Sequence, residues 1–262
     1  RPIHELPDIR WKDSGQHLSQ SISFEPSERI IAAYSYRKLP KEDTFVFITR
    51  NGNIKQTKIS DFAPKRSYKT QSFTAIRLEN EKDELVNVYE ANQSKNYDVF
   101  LVSHRGYGLR YPLSEVSTYG TNAKGVKSMN LKEGDYVVAG SIFEPTEKNA
   151  QVMLVTHRGA IKKMNVADFD IISRAKRGLL VLRELKSNPH RVALMFNVMS
   201  NDEKITLRTN KGNEFTFMPK DYGISDRYSN GSFILDEETD GHPIVYRKDD
   251  IIYIDSKENN NN

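Results

Sequence analysis

Val152-Met153-Leu154-Val155-Thr156-His157-Arg158-Gly159-Ala160-Ile161-Lys162-Lys163-Met164 decides the fold, because its pattern occurs four times. The turn at its centre, Thr156-His157-Arg158-Gly159, returns as Thr49-Arg50-Asn51-Gly52, Ser103-His104-Arg105-Gly106 and Thr209-Asn210-Lys211-Gly212. Successive turn glycines lie 54, 53 and 53 residues apart. A fixed period of that length marks a repeat architecture, so function has to be read from the repeat and not from any one motif.

Before each turn stands an apolar, β-rich run: Phe45–Ile48, Val99–Val102, Val152–Val155 and Ile205–Leu207. A shorter alternating run follows, such as Ile54-Lys55-Gln56-Thr57. Two such runs about a tight turn ending in Gly predict a hairpin, with the glycine at φ > 0 where a side chain would clash. A second landmark lies 19 residues past each turn glycine, at Gln71, Gly125, Gly178 and Gly231. New strands are expected after it, over 73–78, 126–131, 179–185 and 232–235. A fourth apolar run closes each unit, at Leu85–Val88, Tyr136–Val138, Val192–Phe196 and Ile244–Tyr246. Four short strands per repeat predict an all-β, propeller-like disc.

The N-terminus keeps the same register. Pro2-Ile3-His4-Glu5-Leu6 matches Pro112-Leu113-Ser114-Glu115-Val116, which sets Gly15 opposite Gly125. The reading is one domain over 1–255: a truncated repeat 1–40, with residues 21–37 supplying its later strands, then repeats 41–95, 96–149, 150–202 and 203–255. Five or six blades are expected in the intact disc. The missing initiator Met suggests an excised fragment, and the polar tail 256–262 is expected to be disordered.

Composition narrows the classes. No run of about 18 apolar residues offers a membrane span, and mean hydropathy is −0.66. The 262 residues contain no cysteine, which removes disulfides and thiolate metal sites and suits a reducing cytosol. Enzyme signatures are absent: no phosphate loop ends in Lys-Ser/Thr, and no HExxH occurs. His104 and His157 share a repeat position that Arg50 and Asn210 fill elsewhere, so they read as turn residues and not as metal ligands. Arg110-Tyr111 resembles a cleavage dyad, but Tyr111 shares its register with Met164, a packing position. Acids gather in loops, Glu79 to Glu84 and Asp236 to Asp240, away from any paired-carboxylate arrangement.

The net charge of +4 conceals segregation. Cations recur at comparable places in the repeats: Lys55, Lys58, Arg110, Lys162 and Lys163 after the turns, then Arg66, Lys69, Lys124, Lys127, Arg174, Lys176 and Arg177 further on. One cationic position per blade predicts a charged belt, which attracts a polyanion through phosphate contacts and counterion release. No base-reading helix is evident, so binding should ignore sequence. A curved belt also bends what it holds. Turning about 40 bp through half a circle costs on the order of 10 kcal/mol, which needs contacts spread over several blades. The competing reading is a propeller scaffold for a protein partner, but its usual Trp-Asp or double-Gly blade signature is missing: the one tryptophan, Trp11, belongs to no such signature.

The β-[Ser/Thr]-x-[Arg/Asn/Lys]-Gly turn, followed by a basic strand and a second glycine, resembles the C-terminal domain of type IIA topoisomerase A subunits. Phe45 to Phe62, Val99 to Leu131 and Val152 to Leu185 carry the likeness most clearly. The resemblance implies a β-pinwheel whose blades exchange strands and whose basic rim binds and bends double-stranded DNA. It implies a non-catalytic domain without cofactor, monomeric in isolation. The catalytic core of the same subunit would supply the cleavage tyrosine, and a B-type ATPase subunit would use ATP with Mg. Gyrase members carry a Gln-Arg-Arg-Gly-Gly-Lys-Gly box; the nearest approach, Arg174-Ala175-Lys176-Arg177-Gly178, differs, so the chain looks more like the Gram-positive topoisomerase IV branch, with gyrase as the alternative. The implied setting is the cytoplasm, at the nucleoid. Expected DNA contacts are Lys55, Lys58, Arg66, Lys69, Lys124, Lys127, Lys162, Lys163, Arg174, Lys176 and Arg177.

Overall fold

A computed structural model describes residues 7–15, 17–20, 25, 28–63 and 73–249. The expected contacts Arg66 and Lys69, the landmark Gln71, the Pro2–Leu6 match and the tail 256–262 lie outside the described residues.

Each turn closes a hairpin: β1 (Thr44–Thr49) with β2 (Asn53–Lys58), β4 (Asp98–Ser103) with β5 (Tyr107–Pro112), β8 (Gln151–Thr156) with β9 (Ala160–Asn165), and β12 (Lys204–Thr209) with β13 (Glu214–Phe217). The turn glycines 52, 106, 159 and 212 adopt φ of 80°, 84°, 83° and 86°, the left-handed conformation that the pattern demanded. An inner strand then pairs with the first strand of its own hairpin: β3 (Leu85–Ala91), β7 (Val137–Phe143), β11 (Val192–Asn197) and β15 (Pro243–Asp249). These inner strands neighbour one another in sequence order, β3 beside β7, β7 beside β11 and β11 beside β15, so the blades stand side by side about a common axis.

The outer strand of each blade comes from the next repeat. β6 (Val126–Lys127) pairs with β2, β10 (Leu179–Leu180) with β5, and β14 (Ser232–Phe233) with β9. The sheets therefore run β3-β1-β2-β6, β7-β4-β5-β10, β11-β8-β9-β14 and, with three strands, β15-β12-β13. The longer third strands expected from sequence shrink to two residues each, because the segment meets the neighbouring edge only just after its glycine before bending back toward the hub. Phe73 to Leu78 forms no strand; Arg77 N–H donates to Ala123 O there. Nor do residues 28–40, although the Tyr34 and Tyr36 hydroxyls reach Val88 O (2.7 Å) and Glu90 (2.6 Å) alongside β3.

The second glycines make the exchange possible. A methyl on Gly125, Gly178 or Gly231 would sit 2.3, 2.1 and 2.3 Å from the carbonyl oxygens of Ile54, Gly108 and Ile161. Gly178 also sits at φ +89°. Gly178→Ala is expected to lower stability by about 2–3 kcal/mol, read from urea unfolding, since it adds a backbone clash to a disfavoured φ. A loss under about 0.5 kcal/mol would contradict the close approach.

The core lies between blades and not within one. Val46, Ile48 and Ile54 of the first blade pack against Val99, Leu101 and Leu109 of the second. Phe100 and Val102 meet Val152, Leu154 and Phe169, and Met153 and Val155 meet Ile205 and Leu207. Tyr111 is fully buried, with its hydroxyl bonded to Ser128 Oγ, and burial pushes its pKa up. That is the packing position its register with Met164 implied.

Candidate nucleic-acid interface

The nine expected cations among the described residues fall into three groups. Lys55, Lys162 and Lys163 point inward and are 0%, 1% and 6% exposed. They lie on β2 and β9, whose lysines were expected in the charged belt, but these strands are covered by the outer strand and its loop. We call each of these loops a strap: 117–125, 170–178 and 223–231. Lys55 Nζ donates to the carbonyls of Ala75 (2.5 Å), Gly120 (3.1 Å) and Thr121 (2.7 Å). Lys162 Nζ sits among the carbonyls of Val181 (2.6 Å), Asp226 (3.2 Å), Arg227 (2.7 Å) and Ser229 (2.9 Å). Burial pulls their pKa values to about 8 and about 7. Lys163 Nζ donates to Pro219 O (2.8 Å), as Gln56 Nε2 does to Val116 O (2.6 Å) and Arg110 Nη1 to Phe169 O (3.3 Å). All three residues pin the one-turn 3-10 segment of the next repeat. A buried ammonium spent on backbone carbonyls cannot reach a phosphate, so these lysines hold the disc together.

Two surface lysines face carboxylates. Lys58 pairs with Glu42 at 2.9 Å and Lys124 with Glu79 at 3.0 Å. Both pairs are solvent-exposed, hence weak, and a duplex can compete for the cations.

The remaining four converge. Segment 127–132 and strap 170–178 lie together where the first two blades meet. Asn130 N–H donates to Lys176 O (2.9 Å), Ala175 N–H to Ser128 O (2.8 Å), and Arg174 Nη1–H to Lys127 O. Lys127, Lys176 and Arg177 are exposed. The Arg177 guanidinium stands 5.9 Å from the Tyr107 ring centre, and Lys132 Nζ stands 5.4 Å from the same ring. Lys132, overlooked in the sequence, completes the cluster; it stands seven residues past the landmark Gly125, beside Glu133. The fourth repeat offers less. Lys220 pairs with Asp202 (2.9 Å), Lys211 is bonded to Glu238 O, and Arg227 Nη1 donates to Leu180 O (2.5 Å).

The turn histidines serve the hub. His104 Nδ1–H donates to Val192 O (2.9 Å) and its ring stacks on Tyr136, centres 4.6 Å apart. His157 Nδ1 accepts from Arg191 N–H (3.1 Å). Burial lowers both pKa values, which keeps the rings neutral near pH 7. Among the described residues no three His, Asp or Glu side chains are grouped to hold a metal ion, and no helix is long and apolar enough to cross a membrane.

Comparison with known proteins follows the same lines. The family described as DNA gyrase C-terminal domain, beta-propeller, matches residues 43–92, 97–143 and 150–198. The A subunit of DNA topoisomerase 4 from Bacillus subtilis (strain 168) is 40% identical over 240 residues, covering 92% of this chain. The match spans only 29% of that relative's length. The crystal structure of the C-terminal domain of DNA topoisomerase IV superposes with a TM-score of 0.83 at 44% identity, over 94% of this chain and 74% of that one. A DNA gyrase A C-terminal domain superposes at 0.70 with 20% identity, over 91% and 76%, a likeness of fold alone. Three matched repeats, strands traded between blades and a shared disc lead to one conclusion: the chain belongs to the DNA gyrase C-terminal, β-propeller domain family.

Proposed function

We propose that this domain binds double-stranded DNA without regard to sequence and bends it along the outer rim of the disc. The observation that carries the reading is the cluster of Lys127, Lys132, Arg174, Lys176 and Arg177, drawn from two repeats onto one blade junction. Lys58 and Lys124 extend the track. The buried Lys55, Lys162 and Lys163 take no part. Likeness to topoisomerase IV A subunits supports a parent of that type in preference to a gyrase. In that parent the domain does no chemistry of its own. It hands a bent segment to the strand-passing core, while a partner B subunit uses ATP and Mg, at the bacterial nucleoid.

Salt separates this reading from a protein-binding scaffold. Five phosphate contacts imply a slope of about −4.5 in log K against log salt, so affinity should fall roughly 500-fold between 50 and 200 mM. Fluorescence anisotropy with a 40-bp duplex measures it, and circle ligation reports the bend. A flat salt response would favour the scaffold.

A further inference from the structure

Each blade places one residue directly after its turn glycine: Asn53, Tyr107, Ala160 and Asn213. Near it lie the loop that leads into the blade's own inner strand and, in the first three blades, the strap that arrives from the next repeat. In the first blade these parts form a matched set of charges. Lys124 of the strap pairs with Glu79 of the loop at 3.0 Å, and Asn53 Nδ2 donates to the same carboxylate at 3.4 Å. In the third blade Ala160 is buried, and the strap brings the neutral Asn230, whose Oδ1 accepts from the Arg183 backbone N–H (2.8 Å). In the fourth, Asn213 Nδ2 donates to Asp240 O (3.2 Å).

The second blade departs from all three. Its loop brings Lys132 and its strap brings Arg177, so two cations meet where the first blade has an ion pair. Both are exposed, and neither has an ion-pair partner among the described residues. Both approach one aromatic ring: Lys132 Nζ lies 5.4 Å and the Arg177 guanidinium carbon 5.9 Å from the centre of Tyr107. The ring itself is anchored. Tyr107 is half-buried, packs against the core between the first two blades, and pairs through its backbone with Leu180 of β10. Like charges this close repel, whereas the face of an aromatic ring attracts a cation within about 6 Å. The ring orders the two side chains without the carboxylate that occupies Lys124, so their N–H donors stay free.

We propose that Tyr107 is a positioning residue of the DNA interface: its ring holds Lys132 and Arg177 together as a preorganised pair of phosphate donors. Ordering a long cationic side chain opposes binding, and here much of that ordering precedes the arrival of DNA. The role rests on the proposed DNA binding; the contact of ring and cations does not.

Tyr107→Leu keeps apolar bulk and removes the ring, and should weaken binding of a 40-bp duplex about tenfold at 0.1 M salt, as expected for two side chains left to be ordered. Tyr107→Phe should stay within about twofold of the parent, since it keeps the ring. A double-mutant cycle separates positioning from a general effect on the fold. With Lys132→Gln and Arg177→Gln already in place, Tyr107→Leu should change affinity by less than about twofold. NMR of the whole chain without DNA reads the contact directly: the Lys132 Hε and Arg177 Hδ signals should be shifted upfield by the ring in the parent and in Tyr107→Phe. Random-coil shifts for both side chains in the parent overturn the proposal, as does unchanged affinity in Tyr107→Leu or a tenfold loss that persists in the Gln background. If no duplex binds while the upfield shifts are present, the DNA reading fails and the positioning role with it, but the grouping of the two cations on the ring stands.

Discussion

Replacing Lys127, Lys176 and Arg177 together by Glu is expected to reduce duplex affinity by about 10³-fold at 0.1 M salt. Each phosphate contact releases about 0.9 of a counterion, so losing three removes about 4 kcal/mol of the electrostatic term at that salt, before added repulsion. The slope of log K against log salt should shrink by about 2.7. Stability should barely change, since all three side chains are exposed and Arg177 gives up only a long contact with Tyr107. Anisotropy titrations across salt, with urea unfolding as the control, decide the matter. An affinity loss under tenfold would move the interface away from this blade junction. The same reversal at Lys162 or Lys163 would report on folding and not on DNA.

Lys162→Met should cost about 3 kcal/mol of stability with DNA contacts untouched. Met approximates the stem of lysine but offers no donor. The carbonyls of Val181, Arg227 and Ser229, all within 2.9 Å of Nζ, would be left unmatched at a covered edge. Each unsatisfied carbonyl costs about 1–3 kcal/mol, and relief from burying an ammonium offsets part of the total. A urea midpoint within 0.5 kcal/mol of the parent would show that the strap does not depend on the lysine. Lys55→Met should follow the same trend.

Those two experiments divide the lysines into exposed and buried ones, a division that the sequence showed only in part. The repeat was legible because backbone geometry leaves no choice at its glycines: 52, 106, 159 and 212 turn left-handed, and 125, 178 and 231 admit a crossing backbone. The exposure of Lys127, Lys176 and Arg177 was legible, because the first ends the outer strand β6 and the other two sit in the turn-rich strap 170–178. The burial of Lys55 and Lys162 was not. On a strand that alternates polar and apolar residues, a lysine reads as solvent-facing, and only the strand borrowed from the next repeat reverses that. One clue stood in the primary structure: the register of Lys55 and Lys162 is Leu109 in the second repeat, and a site that accepts leucine is covered. The same comparison correctly placed Tyr111 beside Met164.

The borrowed outer strand also governs how such a disc can come apart or be edited. Excising residues 150–202 would delete the body of one blade and, with Leu179–Leu180, strip the rim from the blade before it. Damage to any unit thus propagates to its predecessor in the chain, so melting should be concerted where a simple stack of self-contained modules would fray from its ends. Genetic gain or loss of a unit is tolerated only when the break falls so that every hairpin still finds a downstream neighbour to finish it.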